Sequence, residues 1–113
     1  MKQFEIWIAK LPNIPNSCVQ HGERPVIIVS NDQANEHSPV VTVVPLTSKL
    51  GKNALPTHVF LRNRMLDRPS LVLCEQIISV DKPCLRRRIG WVDNPFDRLA
   101  IRHALLVQLN MAA

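Results

Sequence analysis

Val26-Ile27-Ile28-Val29 constrains this chain more than any other stretch, because four consecutive apolar, mostly β-branched residues leave no polar face. Such a run reads as a strand buried on both sides. What surrounds it sharpens the reading. Gly22 upstream lets the preceding loop take a conformation that other residues resist. Pro25 lacks an N–H and suits the first residue of a strand. Asn31-Asp32 downstream stops the strand at a turn. Arg24 is therefore pinned between a loop and a rigid element. A guanidinium held there is a good phosphate ligand, since its planar fork matches two phosphate oxygens. A surface ion pair explains the same residue equally well.

Strands are expected near 5–9, 25–30, 40–46, 57–61, 71–77 and 88–92. Between them lie turns and loops at Pro12–Gly22, Asn31–Pro39, Lys49–Pro56, Arg62–Pro69 and Asp81–Arg87, with a helical turn at Asp32–Glu36. Short strands at this spacing suggest a small barrel. Asn94 is suited to cap a C-terminal helix, and Pro95 to be its first residue. Phe96, Leu99, Ala100, Ile101, Ala104, Leu105, Leu106 and Leu109 form a wide apolar stripe along it. Core packing, closing one end of the barrel, is the first expectation for that stripe, and a dimer contact the second. The mainly β chain of 113 residues is expected to be one domain, 1–113.

Composition narrows the function. Lys plus Arg number 14 against 9 for Asp plus Glu, a balance that favours polyanionic or acidic partners. Aromatics make up 4% and tyrosine is absent, which argues against a multi-aromatic stacking platform for single strands. Cys18, Cys74 and Cys84 form no CxxC pair, and His21, His37, His58 and His103 show no ligand spacing, so no metal or other cofactor is expected. Cys74, in an apolar strand, is expected to be a core residue. No apolar run approaches the roughly 20 residues of a membrane span, and Glu5 and Lys10 interrupt any signal segment. A cytoplasmic protein is the expectation.

An ordered set of segments is more specific than any of these. After Gly22-Glu23-Arg24-Pro25 come Val43-Val44-Pro45-Leu46-Thr47-Ser48-Lys49, Leu55-Pro56-Thr57-His58-Val59, Leu71-Val72-Leu73-Cys74-Glu75-Gln76-Ile77 and Val80-Asp81-Lys82. In this order and spacing, from about Glu5 to Trp91, the chain resembles the MazF/PemK family, the toxins of bacterial toxin–antitoxin pairs. The resemblance implies a small SH3-like barrel of the CcdB/MazF type with a C-terminal helix, assembled as a twofold homodimer. It implies a metal-independent endoribonuclease that cuts single-stranded RNA at short sequences. The 2′-hydroxyl would attack the adjacent phosphate and leave a 2′,3′-cyclic phosphate and a 5′-hydroxyl. The implied partner is a separate antitoxin whose acidic, disordered tail blocks a basic groove.

Arg24 and Thr47 match the family's catalytic positions. If they stand at adjacent strand ends, the guanidinium and the hydroxyl can converge on one phosphate and stabilise a phosphorane. Arginine is hard to deprotonate, so Arg24 is a clamp rather than a base. His21, three residues away and of a residue type whose reference pKa is about 6.5, is the candidate for proton transfer. Gln20, Gly22, Ser48, Lys49, Glu75 and Gln76 are the candidate RNA-binding residues. Glu75 and Gln76 read equally well as a satisfied polar pair. For Thr57 and His58 the structural role is favoured, and for Trp7 core packing.

The chain departs from the family at several points. Phe4 precedes Glu5 where the family has glycine, so the opening turn is expected to differ. Val19 replaces an acid, His21 a glycine, and Ile78 and Cys84 basic residues. Arg86-Arg87-Arg88 either compensates for the missing cations or forms a solvated basic turn. Two alternatives stay open: a non-catalytic gyrase poison like the CcdB branch, and an inactive RNA- or partner-binding module.

Overall fold

The computed structural model describes residues 1–51 and 55–111. Residues 52–54, inside the expected Lys49–Pro56 loop, and the terminal 112–113 lie outside the described residues. The strands are β1 (Glu5–Leu11), β2 (Gly22–Ile28), β3 (Val40–Thr47), β4 (His58–Leu61), β5 (Ser70–Leu73), β6 (Ile78–Asp81) and β7 (Leu85–Trp91). The helices are α1 (Asp32–His37) and α2 (Pro95–Leu109). All strand pairs are antiparallel, in the order β4-β5-β3-β2-β1-β7, with β6 also on β3.

Val26, Ile27 and Ile28 of the apolar run behave as read, while Val29 falls past the end of β2 and is half-buried. Ile27 and Val44 enter one core cluster with Ile6, Leu46, Val72 and Ile101. Val26, Ile28, Val41 and Val43 enter a second with Ala9 and Leu85. Successive side chains alternate across a strand, so a run without polar positions is stable only with core on both faces. Cys74 belongs to the first cluster, and burial followed by the charge of Glu75 pushes its thiol up to about 12.

Four expectations change. The stretch 71–77 is not one strand: β5 stops at Leu73, a turn closed by Gln76 N–H to the Leu73 carbonyl (3.0 Å) follows, and β6 begins at Ile78. Opposite the break β3 carries Val44 and Pro45, and a proline gives no N–H to a ladder. β2 starts at Gly22, so Pro25 is inside the strand, opposite Ile8. It is tolerated because the β3 ladder begins only at Val26. β7 starts at Leu85 after a 3-10 turn through Pro83, which puts Arg86, Arg87 and Arg88 in a strand instead of a turn.

The fourth correction concerns closure. The sheet is open between its edges β4 and β7, and α2 fills part of the gap by packing on β4. Asn94 caps α2 through Phe96 N–H (2.8 Å), with Pro95 following, as expected. Of the predicted stripe, however, only Ile101 and Ala104 are buried and Leu105 half-buried. Phe96 (79% exposed), Leu99 (61%), Leu106 and Leu109 face outward. The stripe is wider than the core it covers.

The opening turn does differ in residue but keeps a glycine-like backbone. Phe4 has φ +72°, a left-handed conformation that costs a non-glycine residue roughly 1–2 kcal/mol. Its ring is 2% exposed and lies 5.1 and 5.3 Å from the Arg98 and Arg102 guanidiniums. Burial of such a ring is worth about 1.5–3 kcal/mol, which offsets the strain.

Candidate functional site

The ladder between β2 and β3 ends at Val26 opposite Pro45. Two residues further along each strand stand Arg24 and Thr47. The pairing between the two strands stops before them: Thr47 pairs with Leu71 of β5, and Arg24 with Ala9 of β1. Arg24 is half-buried, and its Nε donates to the His21 carbonyl at 2.8 Å. That bond orients the guanidinium and leaves its two terminal amino groups for another acceptor. Thr47 is 8% exposed, and its hydroxyl oxygen accepts from the Lys49 N–H at 3.2 Å. The hydroxyl proton is left to donate. Gly22, at φ +75°, turns the chain into β2.

Arg24 opens onto a cleft of about 400 Å³. Ser48 borders it, as do Met65, Asp67 and Arg68 from the β4–β5 loop and Arg87 from β7. Arg68, Met65 and Ser70 escaped sequence reasoning, because nothing in the local pattern says that this loop folds toward Arg24. Ser70 donates to the Arg68 carbonyl at 3.1 Å and helps shape the loop. Gly90 makes the approach possible, since a Cβ there would meet Met65 at 2.7 Å.

The remaining expected residues divide. Gln20 and Gln76 are brought together: the Gln20 N–H donates to Gln76 Oε1 at 2.8 Å, tying the first loop to the β5–β6 turn. Lys49 is exposed beside the cleft residue Ser48. His21 is exposed and borders a different cavity, of about 650 Å³, with Lys10, Val80 and Cys84. Glu75 is engaged on both oxygens, by Thr57 Oγ1 at 3.4 Å and His58 Nε2 at 2.8 Å. His58 Nδ1 accepts from the Leu55 N–H at 3.3 Å, so Nε2 carries the proton and donates to Glu75. Ile78 and Cys84, which stand where the family has cations, pack against the second core cluster.

A second polar group sits across the sheet. Glu5, 9% exposed, accepts from Trp7 Nε1 at 2.9 Å and from Arg88 at 3.2 Å. Burial raises the carboxyl's pKa, but the hydrogen bonds from Trp7, the Lys2 backbone and Arg88 outweigh it and hold the group below its ordinary value. Among the described residues no three His, Cys, Asp or Glu side chains cluster as metal ligands. No helix there is long and apolar enough to cross a membrane.

An open antiparallel sheet with a C-terminal helix is the architecture of the solved MazF structures that this chain resembles. Over residues 2–105 the sequence matches the family described as PemK-like, MazF-like toxin of type II toxin-antitoxin system, and the chain belongs to that family. It is 34% identical over 96 residues to Endoribonuclease MazF of Staphylococcus saprophyticus, covering 83% of this chain and 79% of that one. Among solved structures it resembles Mycobacterium tuberculosis toxin MazF-mt6, with TM-score 0.79, 25% identity and 96% and 99% of the two chains covered. MazF from Deinococcus radiodurans shares the fold with TM-score 0.81 at 21% identity, covering 98% and 97%. A mycobacterial endoribonuclease solved with its cognate antitoxin shares it with TM-score 0.79 at 24% identity, covering 100% and 98%.

Proposed function

We propose that this MazF-like endoribonuclease cuts single-stranded RNA without a metal, using Arg24 and Thr47 on the scissile phosphate. The carrying observation is that both stand at the parting ends of β2 and β3, with Arg24 oriented by its bond to the His21 carbonyl. The substrate's 2′-oxygen loses its proton and attacks phosphorus. The P–O5′ bond breaks, and the 5′-oxygen takes a proton. The products are a 2′,3′-cyclic phosphate and a 5′-hydroxyl. Arg24 neutralises the charge that builds on the non-bridging oxygens, and the Thr47 hydroxyl donates to one of them. DNA, lacking the 2′-hydroxyl, is not cut.

Gln20, Lys49 and Ser48 contact the flanking nucleotides in this reading, with Gly22 shaping the loop. Gln76 and Glu75 act as positioning residues, since Gln76 holds Gln20 and Glu75 is occupied by Thr57 and His58. The exposed Phe96–Leu106 face of α2 supports a homodimer, because a helix in water does not keep such a row uncovered. The basic cleft fits an antitoxin with an acidic, disordered tail, in the cytoplasm where mRNA is translated.

The test is cleavage of a long mixed-sequence RNA in EDTA by wild type and Arg24→Ala, mapping the 5′-hydroxyl ends. Discrete cuts by wild type that vanish in the variant are expected. A folded, antitoxin-free dimer that makes no cuts would overturn the catalytic reading.

A further inference from the structure

Three guanidiniums border the cleft: Arg24 from β2, Arg68 from the β4–β5 loop and Arg87 from β7. Among the described residues none of them has a carboxylate within 4.0 Å, although Glu23 and Asp67 also border the cleft. The arginine with such a partner is Arg88, which binds Glu5. Arg87 and Arg88 are consecutive on a strand and so project to opposite faces. The run of three arginines is therefore not one patch. Arg88 donates to Glu5 on β1, Arg86 falls at a register shift and does not line the cleft, and Arg87 alone of the three borders it.

Like charges gathered from three separate elements repel, and nothing within the fold requires the gathering. An anion shared among them accounts for it. The walls between the arginines are apolar, from Ile8, Pro25, Met65 and Ile89, and suit the face of a sugar or base. The cleft is continuous with Arg24.

The geometry points to Arg68 and Arg87 as a second phosphate subsite, which holds the RNA phosphate next to the one that Arg24 clamps. The subsite rests on the proposed role of Arg24 at the scissile phosphate. RNA is favoured over an acidic peptide because the cleft shares Arg24 and because a guanidinium fork matches phosphate. Arg68 and Arg87 are positioning residues: they fix the register of the strand and do not touch the reacting atoms.

The experiment uses the full-length dimer and a short mixed-sequence RNA whose 2′-hydroxyls are all methylated, so that it cannot be cut. Binding is measured from low to high salt for wild type, Arg68→Ala, Arg87→Ala, Arg87→Lys and Arg86→Ala, with melting temperatures as a folding control. The slope of log affinity against log salt is expected to flatten by about 0.7 in Arg68→Ala and by the same amount in Arg87→Ala, since each variant leaves one phosphate without its cation. Arg87→Lys keeps the slope and weakens affinity, and Arg86→Ala keeps both. Equal losses in Arg86→Ala and Arg87→Ala would overturn the subsite in favour of diffuse charge. Unchanged RNA binding in Arg87→Ala, with weakened binding of an acidic peptide, would overturn it in favour of a peptide site. Because the probe cannot be cut, these outcomes are independent of cleavage: wild type that binds as expected but leaves unmodified RNA intact would sink the catalytic reading alone.

Discussion

Arg87 and Arg88 are chain neighbours with opposite fates. Arg88 is bound to a buried carboxylate that Trp7 also holds, and that group needs nothing from outside the chain. Arg87 borders a cleft with two other arginines and has no carboxylate partner among the described residues. Helix α2 repeats the contrast in apolar form, with Ile101 and Ala104 in the core and Phe96 and Leu106 in the open. Groups satisfied inside the chain maintain the fold, and groups left unsatisfied mark where something else binds. Substitutions on the two sides should therefore separate stability from function.

The largest separation is expected at Arg24. Arg24→Ala should lower cleavage about 10³-fold, or roughly 4 kcal/mol of transition-state stabilisation, while the melting temperature stays level or rises as repulsion in the cleft is relieved. Parallel loss of folding and activity, read by single-turnover rates beside thermal melts, would break the comparison. Next is the outer face of α2. Phe96→Glu with Leu106→Glu should raise the dimer dissociation constant roughly a hundredfold in sedimentation, leaving the monomer's helix content intact. A dimer of unchanged affinity would place the subunit interface elsewhere.

Glu5 probes the satisfied side. Glu5→Gln should destabilise the fold by about 1 kcal/mol in urea at neutral pH, with kcat unchanged for the folded enzyme. The pH dependence has a definite sign. Because the folded carboxyl titrates below its ordinary value of 4.5, its contribution is complete above that pH and is lost as pH falls through the lower folded value. Wild type should therefore lose its advantage over Glu5→Gln below pH 4.5, and curves that run parallel into acid would contradict the network. The smallest effect is expected at His21. Its carbonyl, not its ring, holds Arg24, and the residue borders the other cavity. His21→Ala should change the rate by less than about threefold with the same pH–rate profile. Disappearance of the acidic limb would assign the proton transfer to its ring.

Legibility followed the range of the interactions. The β2 run was readable because burial on both faces leaves its mark on every residue from Val26 to Ile28. The N-cap of α2 was readable because Asn94 and the Phe96 N–H that it binds lie two residues apart. The break after Leu73 was not, since its cause lies across the sheet at Pro45. Nor was the start of β7, which depends on Leu85 finding the second core. Arg24 and Thr47 could be named as a pair only through family resemblance, because they lie on different strands whose pairing stops before reaching them. Arg68 was invisible, being 44 residues from Arg24 in a loop with two other arginines and nothing local to tell them apart.

By itself the sequence determined the mainly β class, the start of α2, the double-sided burial of β2 and the family, all of which rest on local pattern or on the order of short segments. Only the tertiary structure decided which of three consecutive arginines borders the cleft, which face of α2 is covered, and which loop lines the cleft beside Arg24. Those outcomes depend on what lies opposite a residue in space, and a linear pattern carries that information only for the nearest turn or strand.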